Sequence, residues 1–239
     1  MKSRTGVLLA AAFLAWVGIS LASAAPDPAA PESPAAAVVR AYLNAAHWED
    51  RLQYVLRPTE VKPFMQARYA AGWKAQKYEI DLVGELPGAS EDWVIVQVKI
   101  GDHANAYYLQ KTPQGLRIDW ENSVGFNRMS PEQVLATKPL HPVRFRALAQ
   151  LNDYANFQFK DPQDATLNLQ LTDAEGKSIG QAYLDKSSAD GRALFKALKD
   201  GRQHAIAVDL RYLSSSPGGA AFLISKVVRS DSWFFEPGN

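Results

Sequence analysis

The sequence predicts an α+β chain of two domains: helices packed with a curved antiparallel sheet, then a mostly-β barrel carrying one helix. Three observations predict it. Apolar residues recur at helical spacing from Val38 to Tyr69. From Tyr78 to Trp120 the period changes to two, cut by Pro- and Gly-containing turns. After Pro139 alternation returns and is broken once, by a helical pattern over Ala189–Lys199. With 239 residues, 47% of them hydrophobic, the chain can fill two cores, since a domain takes ~100–200 residues.

The first segment reads as an address. Lys2 and Arg4 precede an apolar run from Gly6 to Leu21, and Ala22-Ser23-Ala24 follows. This is the three-part plan of a secretory signal peptide over residues 1–24, with cleavage after Ala24; an uncleaved anchor is the alternative. Removing residues 1–24 takes away Lys2 and Arg4 and no acid. The net charge of +1 therefore becomes −1 over the remaining 215 residues. Residues 25–33 read as an extended Pro/Ala-rich leader. No other stretch is apolar enough to span a membrane.

Ser33-Pro34 marks the first helix start, a hydroxyl cap followed by a proline that needs no N–H. Val38, Val39, Tyr42, Leu43 and Ala46 form its apolar stripe. A second helix fits Glu49–Leu56, ended by Pro58. A third is capped by Thr59, continues through Val61, Phe64, Met65 and Tyr69, and stops at Gly72. Four strands follow. Tyr78, Ile80 and Leu82 share one face of the first. Val94, Val96 and Val98 share one face of the second, Trp93–Ile100. Ala104–Lys111 is the third, and Leu116–Trp120 the fourth. The domain covers residues 34–128. Ser130-Pro131-Glu132-Gln133 is a capping box that opens a linker helix within 129–138.

The second domain, 139–239, begins with Val143–Leu151, and the pattern continues in extended form through Tyr154, Phe157 and Phe159. In Ala165–Thr172, Leu167, Leu169 and Leu171 alternate with polar residues. Ser178–Asp185 is the third strand. The helix buries Leu194, Phe195 and Leu198, and the strands Ala205–Leu213 and Ala221–Arg229 close the domain. Three strands, a helix and two strands is the order of an OB-like barrel; a sandwich with an inserted helix shares it.

The helical run Ala36–Tyr69 with the closing segment "LRIDWE" resembles the nuclear-transport-factor-two-like fold of ketosteroid isomerases and SnoaL-like proteins, a cystatin-like cone. "WEDRLQYVLRPTEVKPFMQARY" together with "RIDWENSV" also resembles exported bacterial proteins that join such a domain to a C-terminal β domain. The resemblance implies an architecture and an address. It carries over no activity and no functional residue, because this kind of fold hosts enzymes, carriers and interaction modules alike.

Composition excludes several chemistries. With no Cys there is no disulfide, thiolate metal site or Cys nucleophile. Residues 139–239 hold 12 Lys+Arg against 11 Asp+Glu, too even for nucleic-acid binding. Ketosteroid-isomerase-like chemistry needs a pocket Asp with Tyr donors. The residues available for it are Asp81, Asp119 and Glu121, with Tyr107 and Tyr108; a solvated sheet face predicts the same positions. His47, His103, His141 and His204 lack metal-ligand spacing, so neither metal nor cofactor is expected. Ser214–Gly219 has no helix behind it to make a phosphate cradle. Arg144 and Arg146 share a strand face and form a possible anion or partner patch. Trp233-Phe234-Phe235 either fold back onto the inter-domain seam or dock a partner.

The expectation is an exported, non-enzymatic binding or interaction protein of the cell envelope, with an envelope protein or a small apolar ligand as partner. One alternative is a carrier or an isomerase- or hydrolase-like enzyme with its pocket in residues 34–128. Another is an envelope scaffold or assembly factor.

Overall fold

The structure, a computed structural model, describes residues 32–70, 77–86, 89–101, 103–152, 165–216 and 219–236. The expected signal peptide, nearly all of the leader, Gly72, Trp73, and the aromatic residues Tyr154, Phe157 and Phe159 lie outside the described residues. The chain is α+β, with a four-stranded antiparallel sheet and a separate closed five-stranded barrel.

Two compact units divide it, at places that differ from the expected boundaries. One unit runs to Phe126 and takes up the chain again at Trp233; the other is Asn127–Ser232. The linker helix belongs to the barrel, because Val134 is buried in the barrel core. The C-terminal tail belongs to the α+β unit.

In the α+β unit, α1 is Pro34–Asn44, and the Ser33 hydroxyl accepts from the Ala36 N–H as a cap. A 3₁₀ turn covers Glu49–Tyr54. The helix α2 is Pro58–Tyr69. Thr59 is not its cap: Pro58 already stands in the first turn, and Arg57 precedes it in the left-handed region at φ 50°. The sheet runs β1 (Tyr78–Glu85), β2 (Trp93–Ile100), β3 (His103–Thr112), β4 (Gly115–Ile118) in sequence order. Two sequence expectations shift here. A bulge between Ile80 and Leu82 inserts Asp81 into β1, so Val83 takes the inward place expected of Leu82. The last strand stops at Ile118, and Trp120–Ser123 is a short helix, α3.

One face of this sheet packs Val96, Val98, Leu109 and Ile118 against Val39, Tyr42, Leu43 and Met65 of the helices. The other face is also apolar. Trp93, Ile95, Leu86 and Tyr108 lie on it, and Phe234 covers them. The Phe234 ring stands edge-on to Trp93 with centroids 4.8 Å apart and lies 5.2 Å from Tyr108. It is 1% exposed. The Asn122 carboxamide holds the neighbouring backbone: Nδ2 donates to Phe235 O at 3.0 Å, and Phe235 N donates to Oδ1 at 3.3 Å. Ser90 N donates to the Glu236 carboxylate at 2.6 Å.

In the barrel unit, α4 (Pro131–Thr137) carries the expected capping box of Ser130 and Gln133. The strands β5 (Val143–Leu151), β6 (Thr166–Thr172), β7 (Ser178–Asp185), β8 (His204–Ser216) and β9 (Gly219–Arg229) close in the order β5-β6-β7-β9-β8. All pairings are antiparallel except β7 with β9, which run parallel. The helix α5 (Ala189–Leu198) lies between β7 and β8 and is capped by Ser188. It buries Leu194 and Leu198. Phe195, expected in that core, is 39% exposed: it falls outside the stripe that Gly191, Leu194 and Leu198 define.

The parallel closure depends on a glycine. A Cβ on Gly180 would lie 2.5 Å from Ala220 O, and its φ of +138° disfavours any side chain. Gly180→Ala should therefore lower stability by roughly 2–4 kcal/mol, an overpacking cost joined to backbone strain, read as an earlier urea midpoint. Phe234→Ala should cost about 3–5 kcal/mol and make residues beyond Ser232 newly accessible to carboxypeptidase. An unchanged midpoint in that variant would mean the tail is not part of the domain.

Candidate functional site

The α+β unit holds a buried polar cluster on the helix-facing side of its sheet. Its members come from four elements: Tyr42 on α1, Arg51 in the 3₁₀ turn, Tyr69 at the end of α2, and Tyr107 on β3. Trp120, at the start of α3, completes it. The Tyr42 and Tyr69 hydroxyls are 3.2 Å apart, and the Trp120 indole Nε1 donates to the Tyr69 hydroxyl at 3.2 Å. The Tyr107 ring meets Tyr42 edge-on at 5.9 Å. The Arg51 guanidinium carbon sits 4.7 Å from the Tyr42 ring centroid and 5.4 Å from that of Tyr69. Arg51 Nη2 donates to Leu43 O at 3.4 Å, and the side chain is fully buried. A guanidinium tolerates such a place because its planar faces stack on aromatic rings.

Burial raises the Tyr42 phenol well above its ordinary 10.0, and the Tyr69 and Tyr107 phenols nearby add to the rise. Burial raises Tyr107 as well, again with Tyr69 contributing, while Arg51 works in the opposite direction on both. These phenols stay protonated at neutral pH. The cluster can donate hydrogen bonds and hold negative charge; Tyr42 and Tyr107 do not serve as bases there.

The carboxylates available for acid–base chemistry lie elsewhere. Asp81 is the bulged residue of β1 and is exposed. Asp119 was expected on a solvated strand face. It is 1% exposed, because the strand ends at Ile118 and Asp119 becomes the cap of α3. Its Oδ1 accepts from Asn122 N at 3.0 Å and its Oδ2 from Asn122 Nδ2 at 2.9 Å. Arg57 Nη2 reaches Glu121 Oε2 at 3.1 Å and Asp119 Oδ2 at 3.9 Å. Glu121 is likewise buried. The structure thus separates Tyr107 from Tyr108. The first joins the polar cluster; the second lies on the opposite face against Phe234. Sequence reading passed over Arg51, Arg57, Tyr69 and Asn122. A signal for part of this was present: Tyr42 and Tyr69 both fall on apolar helix faces, and a buried phenol hydroxyl requires a partner.

The expected partner residues are mostly occupied within the chain. Arg144 forms a bidentate pair with Asp209 across β5 and β8, with Nε to Oδ1 at 2.8 Å and Nη2 to Oδ2 at 3.2 Å. Arg146 is 6% exposed, and its backbone N and O are held by the Asn127 carboxamide at 2.7 and 2.8 Å. Arg146 is thus withdrawn from a solvent-facing patch, while Arg144 keeps a part-exposed side chain. Docking of a partner on Trp233 and Phe234 is corrected too: both are buried, and Phe234 packs in this chain's own domain. Phe235 is partly buried, its backbone engaged by Asn122.

The histidines serve local structure where they are engaged. Asp50 Oδ2 accepts from His47 N at 3.3 Å, and His204 pairs with Asp200 at 2.8 Å. Among the described residues no three His, Asp or Glu side chains converge as a metal site would require. Also among them, no helix is long and apolar enough to cross a membrane. No family model, curated protein or solved structure matches the chain.

The raised phenols give a pH prediction. Above pH 10.0, the ordinary phenol value, unfolded tyrosines lose protons while Tyr42 and Tyr107 keep theirs. The unfolded state then binds fewer protons, so stability falls as pH rises. Urea midpoints should be flat below that value and decline above it. Tyr42→Phe should flatten the decline while costing about 1 kcal/mol at neutral pH for the lost hydroxyl pair.

Proposed function

We propose that this chain is an exported binding protein of the cell envelope and that it works without catalysing a reaction. The observation that carries the reading is how the barrel closes. Its first and fourth strands pair antiparallel, its third and fifth pair parallel, and one helix lies between the third and fourth. This supports an OB-like barrel, an architecture whose second and third strands commonly form a binding face. Here those strands are β6 and β7. Their cross-strand pairs opposite the core are Thr166 with Asp185, Asn168 with Tyr183, and Gln170 with Gln181. Tyr183 is 1% exposed, so this face offers the part-buried Thr166, Asn168, Gln170 and Gln181 and the exposed Asp185, a mostly uncharged set that favours hydrogen-bonding ligands over a polyanion such as nucleic acid.

The fate of the reactive residues supports the absence of catalysis. Asp119 is taken up as a helix cap, Glu121 by Arg57, and Asp81 by a surface bulge. The α+β unit, with α1 packed against one face of its antiparallel sheet, fits the nuclear-transport-factor-two-like reading. Export rests on the basic start, apolar run and Ala-x-Ala of residues 1–24.

A second reading, a small-molecule carrier, draws on the Tyr42–Arg51–Tyr69–Tyr107 cluster. Its ligand would be planar and would accept hydrogen bonds.

In the native cell, mass spectrometry of the intact protein from the envelope fraction should give a chain beginning at Ala25. Cytoplasmic protein beginning at Met1 would overturn export. The purified chain should turn over no member of an esterase, isomerase and phosphatase panel, and should capture an envelope component from its own cells. Turnover lost in Asp119→Asn or Tyr107→Phe, at an unchanged unfolding midpoint, would overturn the non-catalytic reading.

A further inference from the structure

The helix α5 carries a surface unlike the rest of the barrel. Arg192, Lys196 and Lys199 follow one another at i, i+4 and i+7, so they form a single stripe opposite the buried Gly191, Leu194 and Leu198. Phe195 stands beside this stripe, 39% exposed. Lys186 places its ammonium 4.9 Å from the Phe195 ring centroid, and Arg202 follows just after the helix.

These cations outnumber the acids around them: residues 185–202 hold five cations and three acids, Asp185, Asp190 and Asp200, with Asp185 acting electrostatically on Arg192 and Asp200 on Arg202. Among the described residues, Lys186, Arg192, Lys196, Lys199 and Arg202 make no ion pair, whereas Arg40, Arg57, Arg144 and Arg229 each do. The acids on the same segment also accept local hydrogen bonds, which keep them at the edges of the stripe. Asp185 accepts from Ser187 N and Oγ, Asp190 from Val227 N, and Asp200 from Arg202 N while pairing with His204. Arg192 donates to Ser187 O, which steadies the stripe without neutralising it.

A convex helix with a net-positive row of cations and an exposed phenylalanine beside it matches the chemistry of a surface that is anionic outside and apolar just beneath. We infer that α5 is the face by which this protein rests on an anionic lipid bilayer, with Phe195 entering the headgroup layer and Lys186, Arg192, Lys196, Lys199 and Arg202 lying over the phosphates. A soluble anionic partner would explain the cations but would give Phe195 no role. The shape argues in the same direction: an anchor of this kind needs no pocket, because lipid headgroups arrange themselves around a convex face. The inference goes beyond the binding reading, since it concerns a different face of the barrel from β6 and β7.

The test is co-sedimentation with vesicles, using the chain that begins at Ala25 and the full chain alongside it. Binding is expected to vesicles of phosphatidylglycerol mixed with phosphatidylcholine, not to phosphatidylcholine alone, and should weaken steeply as salt rises toward ~0.5 M. Each cation removed should lower partitioning roughly fivefold, so Lys196→Glu with Lys199→Glu should lower it by at least about twenty-five-fold. Phe195→Ser should lower it by roughly tenfold. Lys62→Glu, an exposed cation on α2, should change it little. Because the altered side chains are exposed, urea midpoints should match the parent. Equal binding to neutral vesicles, or binding indifferent to the double charge reversal, would overturn the proposal. So would a variant at Phe195 that binds as the parent does, because attachment would then rest on charge alone with no insertion. Failure here leaves the envelope capture experiment unaffected, because that reading rests on the other face.

Discussion

A strand with apolar side chains on both faces cannot leave either face in water. That constraint governs the α+β domain. Trp93-Val94-Ile95-Val96 in β2 sends Val94 and Val96 toward the helices and Trp93 and Ile95 the other way. The helices cover one side. The other side is covered by Phe234, more than a hundred residues later in the chain. The barrel is thus inserted in sequence between two parts of a domain that the tail completes, and the core of the first unit is finished only when Phe234 is in place.

Carboxamides make these distant contacts specific. Asn122 offers its oxygen and nitrogen to the N–H and C=O of Phe235 as a neighbouring strand residue would, and its second amide hydrogen reaches Asp119. Asn127 does the same for Arg146 on β5. A primary amide is the one side chain whose donor and acceptor match a peptide unit on both sides. Apolar burial supplies most of the stabilisation, while such clasps decide which backbone segment lies there. The same segment holds Asp119 and Glu121 beside Arg57, so the residues that looked most like acid–base groups are parts of the closure.

The two halves divide their polar chemistry differently. The α+β unit buries its cation, stacking Arg51 on Tyr42 and Tyr69. The barrel displays a row of cations on α5, and the side chains opposite the core on β6 and β7 are mostly neutral, with Tyr183 buried among them. A net charge near zero conceals both arrangements. It reflects the sum over the chain, whereas binding at a surface follows the charges within about a Debye length, ~10 Å.

Much of the fold was legible in the sequence, because local rules wrote it. The caps at Ser33 and Ser130, the period change after Tyr69 and the alternation in β6 each follow from a few neighbouring residues, and the structure has those elements. The errors also have local causes. One bulged residue, Asp81, moved the inward position from Leu82 to Val83, and the capping tendency of Asp119 outweighed the strand pattern around it. The candidate site was less legible, since Tyr42, Arg51, Tyr69 and Tyr107 come from four separate elements and no spacing announces their meeting. By itself, the sequence determined the element types, the absence of thiol chemistry and the expectation of export, all matters of composition and short-range pattern. Only the tertiary structure decided which face of β2 the tail would cover, which tyrosines would share one arginine, and that the barrel would close through the parallel contact beside Gly180. Those outcomes depend on which distant surfaces fit together, and packing complementarity is a property of the folded chain.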